Sequence, residues 1–444
     1  MTKTLKTVLT VAVCTFALTA NATAHEIDAP AESRSAFPEY TTEAAGANFD
    51  EAKIAELEAR MSKFVTDGDV RGISTLLVRD GKVISHMQAG IRRGVDNAPI
   101  TEDTLYRIYS MSKPITGVAL MQLWEQGKFS LDDPVSKFIP EFSDLQAVKS
   151  HDEEGNFELE PLERQPTMRE LMSHTAGFAY GLPNGGNHPS DKAFREKKIL
   201  ASPDLETFID RVASVPLMQQ PGKKWVYSAS VDIQGAIVER LSGMTFGEYL
   251  QANLFEPMGM EDTAFAVSAE KYDRLSDVFG ANPVTKELSP LPFPPFAFKP
   301  ETVGMESGGG GLVATLADYA RFCEMLANGG ELNGNRILKP ETVKLMRTDV
   351  LTKDQKVSLS GNLSEASMQT LGFGLDFGIV HNDGSGKTVS GDGTYFWGGA
   401  AGTWFWIDPT NDLYFIGMIQ RFAAGGPDFR GVSRELVYDA LNEE

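Results

Sequence analysis

Ser110 and Lys113 stand three residues apart in Ser110-Met111-Ser112-Lys113. At the start of a helix, positions i and i+3 share a face, so the hydroxyl and the amine would meet. A lysine ammonium held beside a hydroxyl and partly dried can release its proton and act as a base. Ser110 would then be an acylatable nucleophile with Lys113 as its base, and no histidine would be needed. The spacing itself is common, because Ser268-Ala269-Glu270-Lys271 repeats it. That second match lies near Asp273 and Arg274, with nothing to dry a lysine, and reads as the start of a surface helix. The first is followed by Ile115, Val118, Ala119, Met121, Leu123 and Trp124. These cover most of a helix's circumference, which implies burial.

Pro114 suits the first turn of this helix and Gly127 its stop. Upstream, Ile54, Leu57, Met61 and Phe64 recur at helical spacing. Ile73 to Arg79, a turn at Asp80-Gly81, and Val83 to Ala89 read as a hairpin. Thr167-Met168-Arg169-Glu170 is a capping box opening a helix that ends near His174, and Thr315 opens another helix after the run Gly308 to Gly311. Beyond residue 370 the pattern becomes strands: Leu371 to Val380, Gly402 to Ile407, and Leu413 to Ile419. A final helix is marked by Phe429, Val432, Leu436 and Leu441. Strands at both ends with helices between them predict one sheet built from distant parts of the chain. The α/β part would span about 49–105 and 335–444, with a mostly helical lobe, about 106–334, inserted into it. A cleft between lobe and sheet is the natural place for a site.

Residues 1–24 have the pattern of a signal peptide: Lys3 and Lys6, an apolar run from Val8 to Leu18, and Ala22-Thr23-Ala24 before His25. The expected destination is outside the cytoplasm, in the periplasm, with residues 25–48 as a loose leader before the folded domain at 49–440. No stable membrane insertion is expected once the signal is removed. Cys14 leaves with it, so Cys323 has no partner for a disulfide; its helical apolar context marks a core residue. The formal charge of −20 repels phosphate backbones and excludes nucleic acid as a partner. The histidines show no metal-ligand spacing, and no metal or other cofactor is expected. His174, at the end of a capped helix, reads as locally bonded. A Gly-x-Ser-x-Gly elbow is absent, which disfavours an α/β-hydrolase. Gly384 to Thr388 mimics a phosphate loop, but His381 stands where its first glycine is required. Phe293, Phe296 and Phe298, in a proline-rich loop, would either line an acyl pocket or pack their own loop.

The surroundings of Ser110 resemble a known family. Ser110-Met111-Ser112-Lys113-Pro114 is similar to the nucleophile motif of the serine β-lactamase and penicillin-recognising superfamily, in its class C-like branch and nearest the family VIII carboxylesterases. Tyr106-Arg107-Ile108-Tyr109 precedes it, and Leu171-Met172-Ser173-His174-Thr175-Ala176-Gly177 follows. Pro221-Gly222-Lys223-Lys224-Trp225-Val226-Tyr227-Ser228, Ser307 to Leu312 and Trp397-Gly398-Gly399-Ala400 then occur in the family's order. The resemblance implies a β-lactamase/transpeptidase-like α/β fold, a mainly antiparallel sheet flanked by helices. It implies Tyr227 as a second proton acceptor and the backbone N–H groups of Ser110 and Ala400 as the oxyanion hole. It also implies that Trp397, Gly398 and Gly399 line the substrate site.

Two positions depart from the β-lactamase pattern. Asn is expected two residues after the tyrosine, where this chain has Ala229, with Ser230 as a partial stand-in. A Lys-Thr-Gly strand is expected to grip the penicillin carboxylate. Lys387-Thr388-Val389 lacks the glycine and reads as a hairpin tip, while Trp397 supplies an apolar face and one N–H donor. The reading is a secreted serine hydrolase that cleaves small carboxylic esters through an acyl-Ser110 intermediate. Three alternatives share its site: a β-lactamase or D-amino peptidase, an acyltransferase, and a binding protein that has lost turnover.

Overall fold

The computed structural model describes residues 48–182, 187–282, 284–292, 298–362, 371–382, 389–422 and 426–442. The expected signal segment, nearly all of the expected leader, Phe293, Phe296, and Gly384 to Thr388 lie outside them. A mainly antiparallel sheet forms from the two ends of the chain, as expected. Its strands are β1 (Gly72–Arg79), β2 (Lys82–Gly90), β3 (Leu371–Phe373), β4 (Gly378–Val380), β5 (Thr394–Gly398), β6 (Trp404–Asp408) and β7 (Leu413–Ile419). The order is β3-β4-β5-β6-β7-β1-β2, so the hairpin from the start of the domain joins the sheet beside its last strand. Ile73 lies opposite Ile419 and Ala89.

One face of the sheet carries α1 (Glu51–Thr66) and the C-terminal helix (Phe429–Ala440). Asp50 caps α1 by accepting from Ala52 and Lys53, and Ile54, Leu57, Met61 and Phe64 form its buried face. Phe64 meets Phe429 edge-on at 4.7 Å. In the final helix Phe429, Ser433, Val437 and Ala440 turn furthest inward, and Ser433 Oγ accepts the Trp404 indole N–H at 3.2 Å. Val432 and Leu436 are only half-buried.

The inserted lobe is mostly helical. It contains α2 (Ser112–Glu125), α3 (Met168–Met172), α4 (Ser230–Ser242) and α5 (Leu316–Ala327). α2 is buried around nearly all its circumference and packs on α4. Pro114 lies in its first turn and Gly127, with φ 72°, follows its C-cap. α5, capped by Thr315, packs on the sheet, where Tyr319 meets Phe405 at 5.2 Å. Cys323 is fully buried there. The lobe also holds a hairpin, Gln146–His151 with Phe157–Pro161; Phe157-Glu158-Leu159-Glu160 alternates, but Phe157 and Leu159 are exposed. Ser268-Ala269-Glu270-Lys271 opens a surface turn of 3-10 helix, where Lys271 pairs with Asp262 at 2.8 Å. Among the described residues no helix is long and apolar enough to cross a membrane.

Two strand expectations change. Leu371 to Val380 is not one strand but the antiparallel pair β3 and β4, joined through a turn in which Asp376 has φ 63°. The strand expected from Gly402 starts at Trp404, and Trp397-Gly398 closes a separate strand, β5, paired with it. Asp349 fastens this region. Its carboxylate accepts from the Leu351 and Phe373 amides at 3.0 and 3.2 Å and from His381 at 2.9 Å, and it pairs with Lys356. Burial alone would raise its pKa, but His381, Lys356 and the amides outweigh burial and hold it at about 2. The unfolded value is near 3.9. The bonus of ionised Asp349 is therefore complete above about pH 4 and lost as pH falls towards about 2. Asp349→Asn should be less stable than wild type at neutral pH and lose less on acidification. Urea unfolding at a series of acidic pH values measures this, and parallel curves for the two proteins would refute it.

Candidate active site

Ser110 does not sit in the α-helix itself. It lies in a 3-10 turn, Tyr109–Met111, that runs directly into α2. Tyr109 has φ 44°, an uncommon left-handed geometry for an aromatic residue. The kink is held by its neighbours. Tyr319 Oη donates to the Met111 carbonyl at 3.0 Å, and the Leu312 N–H donates to Ser112 Oγ at 3.1 Å. Lys113 then falls in the first turn of α2, facing the Ser110 hydroxyl.

The Lys113 ammonium is buried and uses all three donors. It reaches Ser110 Oγ at 3.2 Å, Tyr180 Oη at 3.2 Å and the Gly309 carbonyl at 2.6 Å. It also lies 4.6 Å from the centre of the Tyr227 ring. Tyr227 Oη donates to Ser110 Oγ at 2.7 Å. The serine hydroxyl is thus held between an ammonium and a phenol.

Both phenols arrive through one local pairing. The segment after α3 runs beside the segment before α4: Gly222 N–H meets the Thr175 carbonyl, Val226 N–H meets that of His174, and Ala229 N–H meets that of Ala179. This sets the Tyr180 and Tyr227 rings 5.4 Å apart at 75°. His174 is not bonded locally. Its Nδ1 pairs with Ser228 Oγ at 2.9 Å, and its ring packs on Trp225, Tyr227 and Phe373. Burial, then the nearby Lys113 charge, pushes it well below the ordinary histidine range, so it stays neutral and supports the Tyr227 ring.

Behind the lysine lie two fully buried carboxylates. Asp232, in the first turn of α4, accepts from Ser307 Oγ and from the Gly309 N–H at 3.0 Å. Asp376, in the β3–β4 turn, accepts from Gln234 at 3.0 Å. Burial raises both above the ordinary carboxylate range, Asp376 strongly, while Lys113 opposes the rise. Burial, then Asp232 and Tyr227, lifts Tyr180 well above the usual phenol value.

Trp397, near the end of β5, is buried, with its ring 5.7 Å from Tyr227 and 5.4 Å from Phe373. Its indole N–H has no partner among the described residues. Gly398 points to the opposite face of the sheet, where a β-carbon would strike Arg430. Gly399 abuts the backbone just before Ser110: a β-carbon there would lie 2.4 Å from the Ile108 carbonyl oxygen. This contact brings the turn closed by Gly402 N–H and the Gly399 carbonyl against the nucleophile turn. Ala400 is exposed in that turn. Neither its N–H nor that of Ser110 is taken by another backbone carbonyl among the described residues.

Ser110, Lys113, Tyr227, Trp397 and the Ala400 turn therefore converge. Ala229 is buried, and the Ser230 hydroxyl is fully buried and bonded to Ser228 at 2.7 Å, which does not support Ser230 as a stand-in for the missing Asn. Phe298 packs in a satellite cluster with Leu105, Val267 and Val313, under the Arg107 guanidinium. Sequence reasoning missed Tyr180, the Gly309 carbonyl, Asp232 and Asp376. The one usable signal was an aspartate in the first turn of α4, among Ser230, Val231, Ile233 and Ala236.

Comparison with known proteins identifies the family. The Beta-lactamase family matches residues 57–437. Protein Rv1367c of Mycobacterium tuberculosis is 32% identical over 367 residues, covering 82% of this chain and 89% of that protein. Esterase EstB of Burkholderia gladioli is 30% identical over 376 residues, covering 81% and 88%. Among solved structures, EstCE1, described as a hydrolase with promiscuous acyltransferase activity, superposes with a TM-score of 0.70 at 25% identity, covering 87% of this chain and 99% of that one.

Gly309 is needed at its place because a β-carbon would lie 2.5 Å from Asp232 Oδ2 and 2.9 Å from Tyr180 Oη. Gly309→Ala should push the carbonyl away from Lys113 and cost about 1–3 kcal/mol of stability, the usual range for overpacking. Denaturant unfolding measures this, and an unchanged midpoint would show that the space exists.

Proposed function

The chain belongs to the Beta-lactamase family, and from that membership we propose that it hydrolyses carboxylic esters through an acyl-Ser110 intermediate. The carrying observation is the Ser110 hydroxyl held between Tyr227 Oη at 2.7 Å and Lys113 Nζ at 3.2 Å. With one proton first released from the pair, leaving Lys113 as an amine or Tyr227 as a phenolate, Ser110 Oγ attacks the acyl carbon while its proton passes to that base. The two backbone amides, Ser110 and Ala400, receive the oxyanion; a donor of this kind contributes about 3–4 kcal/mol. The pair returns the proton to the departing alkoxide, then activates a water that frees the acid and restores the serine. Every proton is handed on within this cluster.

Esters are favoured over β-lactams for two reasons. The amide-gripping Asn is replaced by buried Ala229, and an indole at Trp397 stands where a lysine would meet the lactam carboxylate. The names of EstB and EstCE1 support the same direction. Acyl transfer to a second alcohol is the alternative that EstCE1's description favours, and it uses the same acyl-enzyme. Residues 1–24 support export to the periplasm. Sequencing of the periplasmic form should begin at His25; a protein that keeps Met1 would refute export by cleavage.

On a short p-nitrophenyl ester, Ser110→Ala should lower kcat by roughly 10⁴-fold or more. Tyr227→Phe should lower it by roughly 10²–10⁴-fold. Nitrocefin should be turned over far more slowly than the ester. Full activity in Ser110→Ala, or nitrocefin turnover equal to that of the ester, would overturn the proposal.

A further inference from the structure

The steps above leave Asp232 unused, although its burial is complete and its setting is specific. One carboxylate oxygen accepts from Ser307 Oγ and the Gly309 N–H. The other has no partner among the described residues. That free oxygen and the Tyr180 hydroxyl flank the same side of the Gly309 α-carbon, within 2.5 and 2.9 Å of where a β-carbon would sit. Tyr180 accepts a hydrogen from Lys113, so its own O–H is available to turn towards the carboxylate. The Gly309 residue is held from both sides, its N–H by Asp232 and its carbonyl by Lys113. A buried carboxylate with no direct ion pair is costly unless its charge acts on a nearby cation.

We propose that Asp232 is a positioning residue: its buried carboxylate, anchored by Ser307 and Gly309 and facing Tyr180, holds the shared proton on the Ser110–Lys113–Tyr227 cluster. It thereby sets the lower pH limit of turnover. This rests on the ester-hydrolase reading of that cluster. A negative charge beside coupled titrating groups favours their protonated form, and the pH profile reports the cluster as a whole. Other groups bear on the same point. Lys113 faces it from α2, Tyr180 from the segment after α3, and Tyr227 lies beyond Tyr180. Asp376, bonded to Gln234, acts on the lysine by its charge from the β3–β4 turn. His174 is neutral there.

The test is the pH dependence of kcat/KM for a short p-nitrophenyl ester. Asp232→Asn should move the acid limb to lower pH by roughly 1 unit or more. Ser307→Ala keeps the carboxylate but removes one donor from it, and should move the limb the same way by less; it serves as the readout if Asp232→Asn does not fold. A lower rate at every pH with an unmoved limb would reduce Asp232 to packing and overturn the proposal. Turnover that does not depend on Ser110 would overturn both this inference and the ester-hydrolase reading. Ser110-dependent turnover with unmoved limbs would overturn only the role of Asp232.

Discussion

An ammonium group closed inside a protein must have each of its three N–H bonds taken up, because water is not there to do so. Lys113 meets that requirement with Ser110 Oγ, Tyr180 Oη and the Gly309 carbonyl. Each acceptor comes from a different part of the lobe. The serine comes from the kinked turn before α2, the phenol from the segment after α3, and the carbonyl from the glycine run before α5. The folding of three separate segments is thus tied to one nitrogen. Tyr227 follows because its segment pairs with that of Tyr180, and the Ala400 turn follows because Gly399 fits against Ile108.

The same frame explains what has been kept and what has changed relative to a penicillin-type site. The groups that would acylate a serine are bound up with the burial of the lysine, so they cannot change without disturbing the core. The groups that would recognise a lactam lie outside that network. Ala229 caps α4 without a side-chain bond, and Trp397 packs on Tyr227 and Phe373. An indole here supplies no cation, and its ring packs 5.7 Å from that of Tyr227. Substrate preference can change at these positions while the proton-handling core stays intact.

The sheet and its helices were legible where periodicity was strong. The α1 stripe, the first hairpin and the fully apolar α2 all follow from spacing. The break between Leu371–Phe373 and Gly378–Val380 was hidden because both halves are apolar and the turn residue Asp376 is a single polar position. In the site, the meeting of Ser110 and Lys113 follows from their separation of three residues. Tyr180 was invisible because it sits in a loop whose glycines and prolines announce only a turn. Asp232 was masked by its position, since an acid in the first turn of a helix is ordinarily explained by the helix dipole. A main-chain carbonyl such as that of Gly309 has no side-chain signature at all.

The pairing of β1 with β7 sets Ile73 opposite Ile419. A contact between such distant positions must close nearly the whole chain into a loop, and folds rich in such contacts form slowly. The lobe that carries Ser110, Lys113 and Tyr227 is itself closed by distant contacts, but those around Lys113 all lie within residues 110–309. The Ala400 amide and the Trp397 support are delivered only with the strands near the end of the chain. A chain still being made therefore has the Ser110 and Lys113 segments in place before the Ala400 turn and the two strands that follow it, so topology makes this cluster among the last parts of the fold to be completed.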